Sequence, residues 1–332
     1  MTKRELVLET LSHKKCRAIP YQIDLTGEAC DAYGDRLMAD YPNTQACNDF
    51  KAGLLSKSQA VSLSMGNYLL LVYPPWWAWD NLTDTFLKEE FPPDYFPDTK
   101  GYGSYESFFA QIKHIKENYD VFIVATVWED LWEKAKVARG IENFLTDLAG
   151  SPEWAQALVD RMTEKNIVML ENFLTAPEID GMLLGTDWGT QRDLFISPDC
   201  FRTIFKSGEK KQYELIKSYG KKVFVHSCGN ILRIMEDLAE LGVDCLNPVQ
   251  PECMDLEFLK KEYGSRLSYY GGISTQKTLP YGTSADVRTE TSRVTELMSQ
   301  NGGYIISPSQ HIQIDVSYEN LRALIDTARD YA

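Results

Sequence analysis

Short apolar runs alternate with amphipathic stretches through the second half of the chain. GMLLGTD (181–187), KVFVHS (222–227), VDCLNP (243–248), LSYYGGI (267–273) and GGYIISP (302–308) each read as a buried strand. Helical patterns follow them. One opens at Ser197-Pro198-Asp199, with Ser197 as N-cap and Pro198 in the first helical position, and runs to about Tyr219 before Gly220 stops it. Others cover 231–241 (capped by Asn230, closed by Gly242), 255–263 (closed by Gly264), 285–300 and 318–331. Strand–helix alternation at this spacing predicts right-handed βα units around a parallel sheet.

The first half is less regular. AIPYQIDL (18–25), NYLLLVY (67–73) and YDVFIVAT (119–126) predict strands, and helices are expected at 104–117, 140–149 and 152–175. The strand total is then eight, which predicts an α/β fold: one (β/α)8 barrel domain over residues 1–332, with an irregular Trp-rich insertion in the N-terminal half. A doubly wound open sheet is the competing fold, but no G-x-G-x-x-G follows a strand and no P-loop is present.

Composition narrows the function. Hydrophobic residues make up 44% of the 332 and charged residues 25%, as in an ordinary globular protein. A net charge of -14 argues against nucleic acid and against anionic membrane surfaces as partners. There is no signal-peptide pattern, and no apolar run nears the ~18 residues of a membrane span. The seven cysteines are scattered, odd in number and without a CxxC pair, so the expected setting is a reducing cytoplasm.

A barrel places its chemistry where the strands end. Asp24 stands near the end of the first expected strand, and Trp128, Glu129, Asp130 and Glu133 follow the third. Asp187, Trp188 and Gln191 follow the fourth, and His226 and Cys228 end the fifth. Asn247 ends the sixth, and Gln310 and His311 follow the eighth. Residues two apart on a strand share a face, so His226 and Cys228 reach one point together. Imidazole plus thiolate suits zinc, whose catalytic sites take three protein ligands. The third is expected from another strand: His311 first, with Glu133 and Asp187 as oxygen donors. The competing reading is a core histidine beside an inert cysteine.

Other candidates carry their own alternatives. Asp187 orients a ligand or handles a proton, or else caps a turn; Gln191 is expected to orient substrate beside it. Asp24 binds substrate or shapes the turn before Gly27. Glu133 sits on a short helix, where a solvated face is the default. Trp76, Trp77 and Trp79 in YPPWWAWDN (73–81) form an aromatic lid for a flat or methylated ligand, or else pack an insertion. Trp128 and Asn247 are further expected substrate contacts.

The stretches DWGTQRDLFISPDCFRTIFK (187–206), VFVHSCGNILRIMEDLAELGVDCLNPVQ (223–250), YYGGIST (269–275) and GGYIISPSQHIQIDVSYENLRALI (302–325) resemble the uroporphyrinogen decarboxylase superfamily, and within it the cobamide-dependent methyltransferase branch. The resemblance implies a (β/α)8 barrel with an H-x-C…C zinc site, His226-Ser227-Cys228 supplying the H-x-C. The family's last cysteine falls at Gln310, with His311 next, so His311, or a carboxylate such as Glu133, stands in for it; Gln310 is the other substitute. The resemblance further implies Zn2+, a corrinoid carried by a partner protein, and a small methylated substrate such as an aryl methyl ether, and it leaves a homodimer open. The alternative is a metal-independent decarboxylase on a carboxylated substrate. Against it, the arginine-rich stretch of true haem-pathway decarboxylases is replaced here by RAIPYQID (17–24), and Arg17 alone does not serve a polycarboxylate.

Overall fold

The computed structural model describes residues 1–77 and 103–332. Trp79 of the expected lid lies outside them. Seven strands lie on the predicted apolar runs: β1 (Leu69–Val72), β2 (Phe122–Val127), β3 (Gly181–Gly185), β4 (Lys222–His226), β5 (Cys245–Asn247), β6 (Ser268–Ile273) and β7 (Tyr304–Pro308). They follow one another in sequence order in a single sheet. The pairs β3–β4, β5–β6 and β6–β7 are parallel.

The eighth expected strand is corrected. Residues 18–25 are extended but not a regular strand; they touch the sheet through isolated bridges, Tyr21 to Ile306 and Leu25 to Ile312. Pro20 has no N–H to give. The side-chain amide of Asn67 occupies Ile23, accepting its N–H at 3.0 Å and donating to its carbonyl at 2.9 Å. Those are the groups a ladder would have used. The segment still fills the eighth place, because Gln22 N–H reaches Ile306 O at 2.9 Å while Tyr68 N–H reaches Tyr21 O at 3.0 Å. The fold is an α/β barrel of TIM type built from seven strands and this extended segment.

Helices cover the strands: α1 (Lys3–Leu11), α2 (Gly27–Asp40), α3 (Thr44–Lys51), α4 (Lys57–Met65), α5 (Tyr105–Asn118), α6 (Leu131–Arg139), α7 (Ile141–Gly150), α8 (Pro152–Leu174), α9 (Lys206–Ser218), α10 (Met235–Glu240), α11 (Leu256–Tyr263), α12 (Ser284–Met298) and α13 (Tyr318–Asp330). Ser197 caps as expected, accepting Cys200 N–H, and Pro198 follows it. A π-helical turn over Phe201–Phe205 then leads into α9. The helix expected at Ile231 starts as a 3-10 turn over Leu232–Ile234, with Asn230 Oδ1 accepting Leu232 N–H at 3.1 Å. No helix among the described residues is long and apolar enough to cross a membrane.

The chain divides into two compact units. The first comprises Met1–Val72, Gln111–Val124 and Asp244–Ala332; the second comprises Tyr73–Ala110 and Ala125–Val243. In the first, α12 packs on α13 and on β6 and β7. In the second, α8 packs on α7 and α9, and Trp132, Phe144, Trp188, Phe201 and Phe205 form a buried aromatic cluster.

The second unit also holds a buried polar network. Asp130, wholly buried, accepts from Asn166 Nδ2 at 2.6 Å and from Gln212 Nε2 at 3.2 Å. Asn166 Oδ1 accepts from Trp77 Nε1 at 2.6 Å, and Lys134 Nζ donates to Trp77 O at 2.6 Å. Burial pushes the Asp130 carboxyl up to about 6, against the opposing pull of these donors and of Lys134. Burial, with the Asp130 charge beside it, raises Glu209 well above the usual carboxyl range. Burial therefore favours the neutral form of Glu209.

The sign of its pH dependence follows. Above about pH 4.3 the unfolded chain releases the Glu209 proton while the native state holds it to higher pH, so native stability falls as pH rises through that window. Glu209→Gln, a neutral isostere, is expected to raise the melting temperature at pH 7.5 by roughly 2–4 °C, the shift that about 1 kcal/mol brings in a large domain. The gain should shrink toward pH 5. Thermal unfolding of both proteins across that range checks it.

Candidate metal centre

Asp187 stands two residues past the end of β3, and His226 is the last residue of β4. Gly185 and His226 are register partners, so the two strands deliver these residues side by side. Cys228 follows His226 by two positions. Cys228 Sγ lies 3.5 Å from His226 Nε2, and Asp187 Oδ1 lies 3.6 Å from the same nitrogen. The three ligand atoms all lie within 4.8 Å of one another. His226 is 5% exposed; Asp187 and Cys228 are half-buried.

Two arrangements use such a trio, and the geometry separates them. A nucleophile–base–acid relay needs its thiol on one ring nitrogen and its carboxylate on the other. Here both converge on Nε2, which is how donors arrange around a shared cation. Four ligands at about 2.0–2.3 Å from zinc stand roughly 3.3–3.8 Å apart. The 3.5 and 3.6 Å separations from His226 Nε2 fit that spacing, while the third side of the triangle is bounded at 4.8 Å; the nitrogen, sulfur and oxygen donors are all groups zinc accepts.

The loops that carry the trio are locked to each other. Thr186 N–H reaches His226 O at 3.0 Å, Trp188 N–H reaches Ser227 Oγ at 3.0 Å, Cys228 N–H reaches Asp187 Oδ1 at 2.9 Å and Asn230 N–H reaches Thr190 O at 2.7 Å. Gly189 and Gly229 let the two backbones touch. A methyl group on Gly189 would stand 2.6 Å from Cys228 O, and one on Gly229 would stand 2.4 Å from the carbonyl carbon of Gly189. Beneath Asp187, Trp188 is fully buried against Phe201 and Phe205, with ring centroids at 5.1 and 4.9 Å. The π-helical turn presents both phenylalanines.

Glu133, on the first turn of α6, is not in the trio. Its Oε1 accepts Asp187 N–H at 3.3 Å and pairs with Lys136 Nζ at 2.6 Å, so it steadies the Asp187 backbone. Trp128 lies edge-to-face on His226, centroids 4.8 Å apart at 89°. Gln191 is exposed in the loop after β3. Trp77 is an interior residue of the second unit, 1% exposed and bonded to Asn166, because its indole N–H meets a buried acceptor there. Trp76 is half-buried with its ring against Phe173.

His311, the preferred third ligand, belongs to the first unit and not to the trio, as do Asp24, Asn247 and Gln310. Gln310 Oε1 accepts His311 N–H at 3.1 Å, and Asn247 Nδ2 donates to Tyr270 O at 3.3 Å. Burial raises the Asp24 carboxyl, opposed by the charge of His311 and a hydrogen bond from Gln22. The oxygen donor beside His226 and Cys228 is Asp187, named among the alternatives. The sequence reading missed Ser227, Gly189 and Gly229. The two glycines flanking the H-x-C and the D-W dipeptide were the available signal.

The family model for uroporphyrinogen decarboxylase (URO-D) matches residues 132–331, 200 of the 332. The chain belongs to the URO-D family. The match covers all three members of the trio. Among solved structures, this URO-D family member is similar to a methyltransferase from Methanosarcina mazei, at 20% identity and a TM-score of 0.71 over 100% of this chain and 99% of that one. That likeness is one of fold. Much looser likenesses, both at a TM-score of 0.45, are to a putative vitamin-B12 independent methionine synthase from Listeria monocytogenes (11% identity, 96% of this chain and 98% of that one) and to an exo-β-1,4-mannosidase from Opitutaceae bacterium strain TAV5 (12% identity, 94% and 59%). No curated protein matches the sequence.

Gly220, also at positive φ but in open space, provides the control for the loop contact. Gly220→Ala is expected to cost about 1–2 kcal/mol of backbone strain. Gly229→Ala should cost a further 1–3 kcal/mol or so by overpacking against Gly189 and Thr190. Denaturant unfolding of the two variants measures the difference.

Proposed function

We propose that this URO-D family member is a zinc-dependent methyltransferase, moving a methyl group between a small methylated substrate and a corrinoid carried by a partner protein. One observation carries the reading: Cys228 Sγ and Asp187 Oδ1 stand 3.5 and 3.6 Å from His226 Nε2, with all three atoms within 4.8 Å of one another. Family membership, and the likeness in fold to a methanogen methyltransferase, support the class.

When bound, zinc would supply Lewis acidity toward an electronegative atom of the substrate. The chain's own residues do the rest. His226 offers a ring nitrogen from a buried position. Cys228 offers the sulfur and, through its N–H, holds Asp187 Oδ1 in place. Glu133 fixes the Asp187 backbone from the other side. Trp128, 36% exposed, lends an apolar aromatic surface beside His226 on which a ring can rest. One thiolate with one carboxylate is a harder donor set than two thiolates, and a harder site favours an oxygen of the substrate over a sulfur. An aryl methyl ether is therefore the substrate class that fits best. A carboxylate-rich substrate for decarboxylation fits worse, because Asp187 already places negative charge at this point.

Protein purified without chelators is expected to carry close to one equivalent of zinc, and His226→Ala and Cys228→Ala to carry less than about 0.2, since a catalytic zinc is tightly held. Elemental analysis reads this directly. Methyl transfer from a panel of aryl methyl ethers to free reduced cobalamin then tests the reaction. A metal-free wild-type protein would sink the reading.

A further inference from the structure

Trp128 occupies its place at two structural costs that its burial does not explain. It crosses β3 at Gly185, where an added methyl group would stand 2.2 Å from its ring. Gly185 is the last residue of β3, and glycine loses more conformational freedom on folding than any other residue. Trp128 is followed by Glu129 at φ +59°, a left-handed conformation that a non-glycine residue adopts only under constraint. Yet Trp128 is more than a third exposed, so neither cost goes toward filling the core. What both achieve is the edge-to-face contact of its ring with His226.

The constraint on Glu129 comes from the next residue. Asp130 N–H is bonded to Gly185 O at 3.0 Å, and its carboxylate is wholly buried between Asn166 and Gln212. With Asp130 fixed on one side and β2 on the other, the turn has little choice but the left-handed one. We infer that Asp130 is a positioning residue for the metal centre: it holds the Glu129 turn, the turn holds Trp128 across Gly185, and Trp128 sets the His226 ring so that Nε2 faces Asp187 and Cys228. This rests on the metal-centre reading above and assigns it a support that contacts no ligand directly.

Cobalt(II) titration of metal-free protein tests it, reading both affinity and the visible and thiolate charge-transfer bands. Trp128→Ala and Asp130→Asn are each expected to weaken cobalt binding by about 10-fold or more, as loss of an outer partner of a metal ligand does, and to shift the bands. The double variant should be no weaker than the worse single one, because both act through one path. Glu129→Gly, which relaxes the turn without releasing its ends, should keep wild-type affinity. Wild-type cobalt binding with unchanged affinity and spectrum in Asp130→Asn, or additive losses in the double variant, overturns the inference and leaves the metal centre standing. If Asp130→Asn does not fold, Trp128→Ala decides: unchanged binding overturns the inference. A wild-type protein that binds no cobalt overturns the metal centre and this inference together.

Discussion

The candidate centre depends on two loop backbones meeting without side chains between them. After β3 and after β4 the chain must turn within a few residues, and Gly189 and Gly229 bring those turns into direct contact. Four hydrogen bonds then tie the loops together, one of them from Cys228 N–H to Asp187. Any side chain at the contact would push Asp187 away from His226. The trio is thus a product of backbone packing first and of side-chain chemistry second. The aromatic cluster around Trp188 extends the same logic downward, because a carboxylate directly after a buried strand keeps its direction only if the next residue is anchored.

Much of this was legible in the sequence. Seven predicted strands formed because their apolar runs are short and dense, and all but β2 have a glycine within or just before them, which leaves little competition from helix. The H-x-C pair was legible as chemistry at a strand end, although β4 stops at His226 and Cys228 reaches the same point from the loop beyond it, not by strand periodicity. The first expected strand was not, because its ladder is broken by the side chain of Asn67, more than forty residues away. Helices α2 to α4 were missed as well. In α4 every residue from Gln59 to Met65 is buried, so no polar stripe marks an outer face. Their signals were the N-caps Thr26, Asn43 and Ser56.

The third member of the trio shows where sequence reasoning stops. His311, Glu133 and Asp187 each stand at a strand end with suitable chemistry. The pairing of Gly185 with His226 brings Asp187 beside His226, an adjacency that depends on strand register and is not written in the sequence. Trp77 makes a related point. Its neighbours in sequence suggested an aromatic lid, but a single buried acceptor, Asn166, decides where it goes. Polar atoms inside a unit choose their partners more strictly than apolar ones do, and that choice is invisible in a pattern of hydrophobicity.

Asp187 has one more consequence, and it concerns redox chemistry. Two cysteines facing one metal can join as a disulfide once the metal leaves, and the closed pair must be reduced before it reloads. Cys228 is the only thiol in the trio, and all seven cysteines of the chain are free. A trio with one sulfur, one nitrogen and one oxygen cannot close on itself in this way. Were a metal bound there and lost in an oxidising episode, the trio would stay open to reload, and the remaining hazard would be oxidation of the Cys228 sulfur alone.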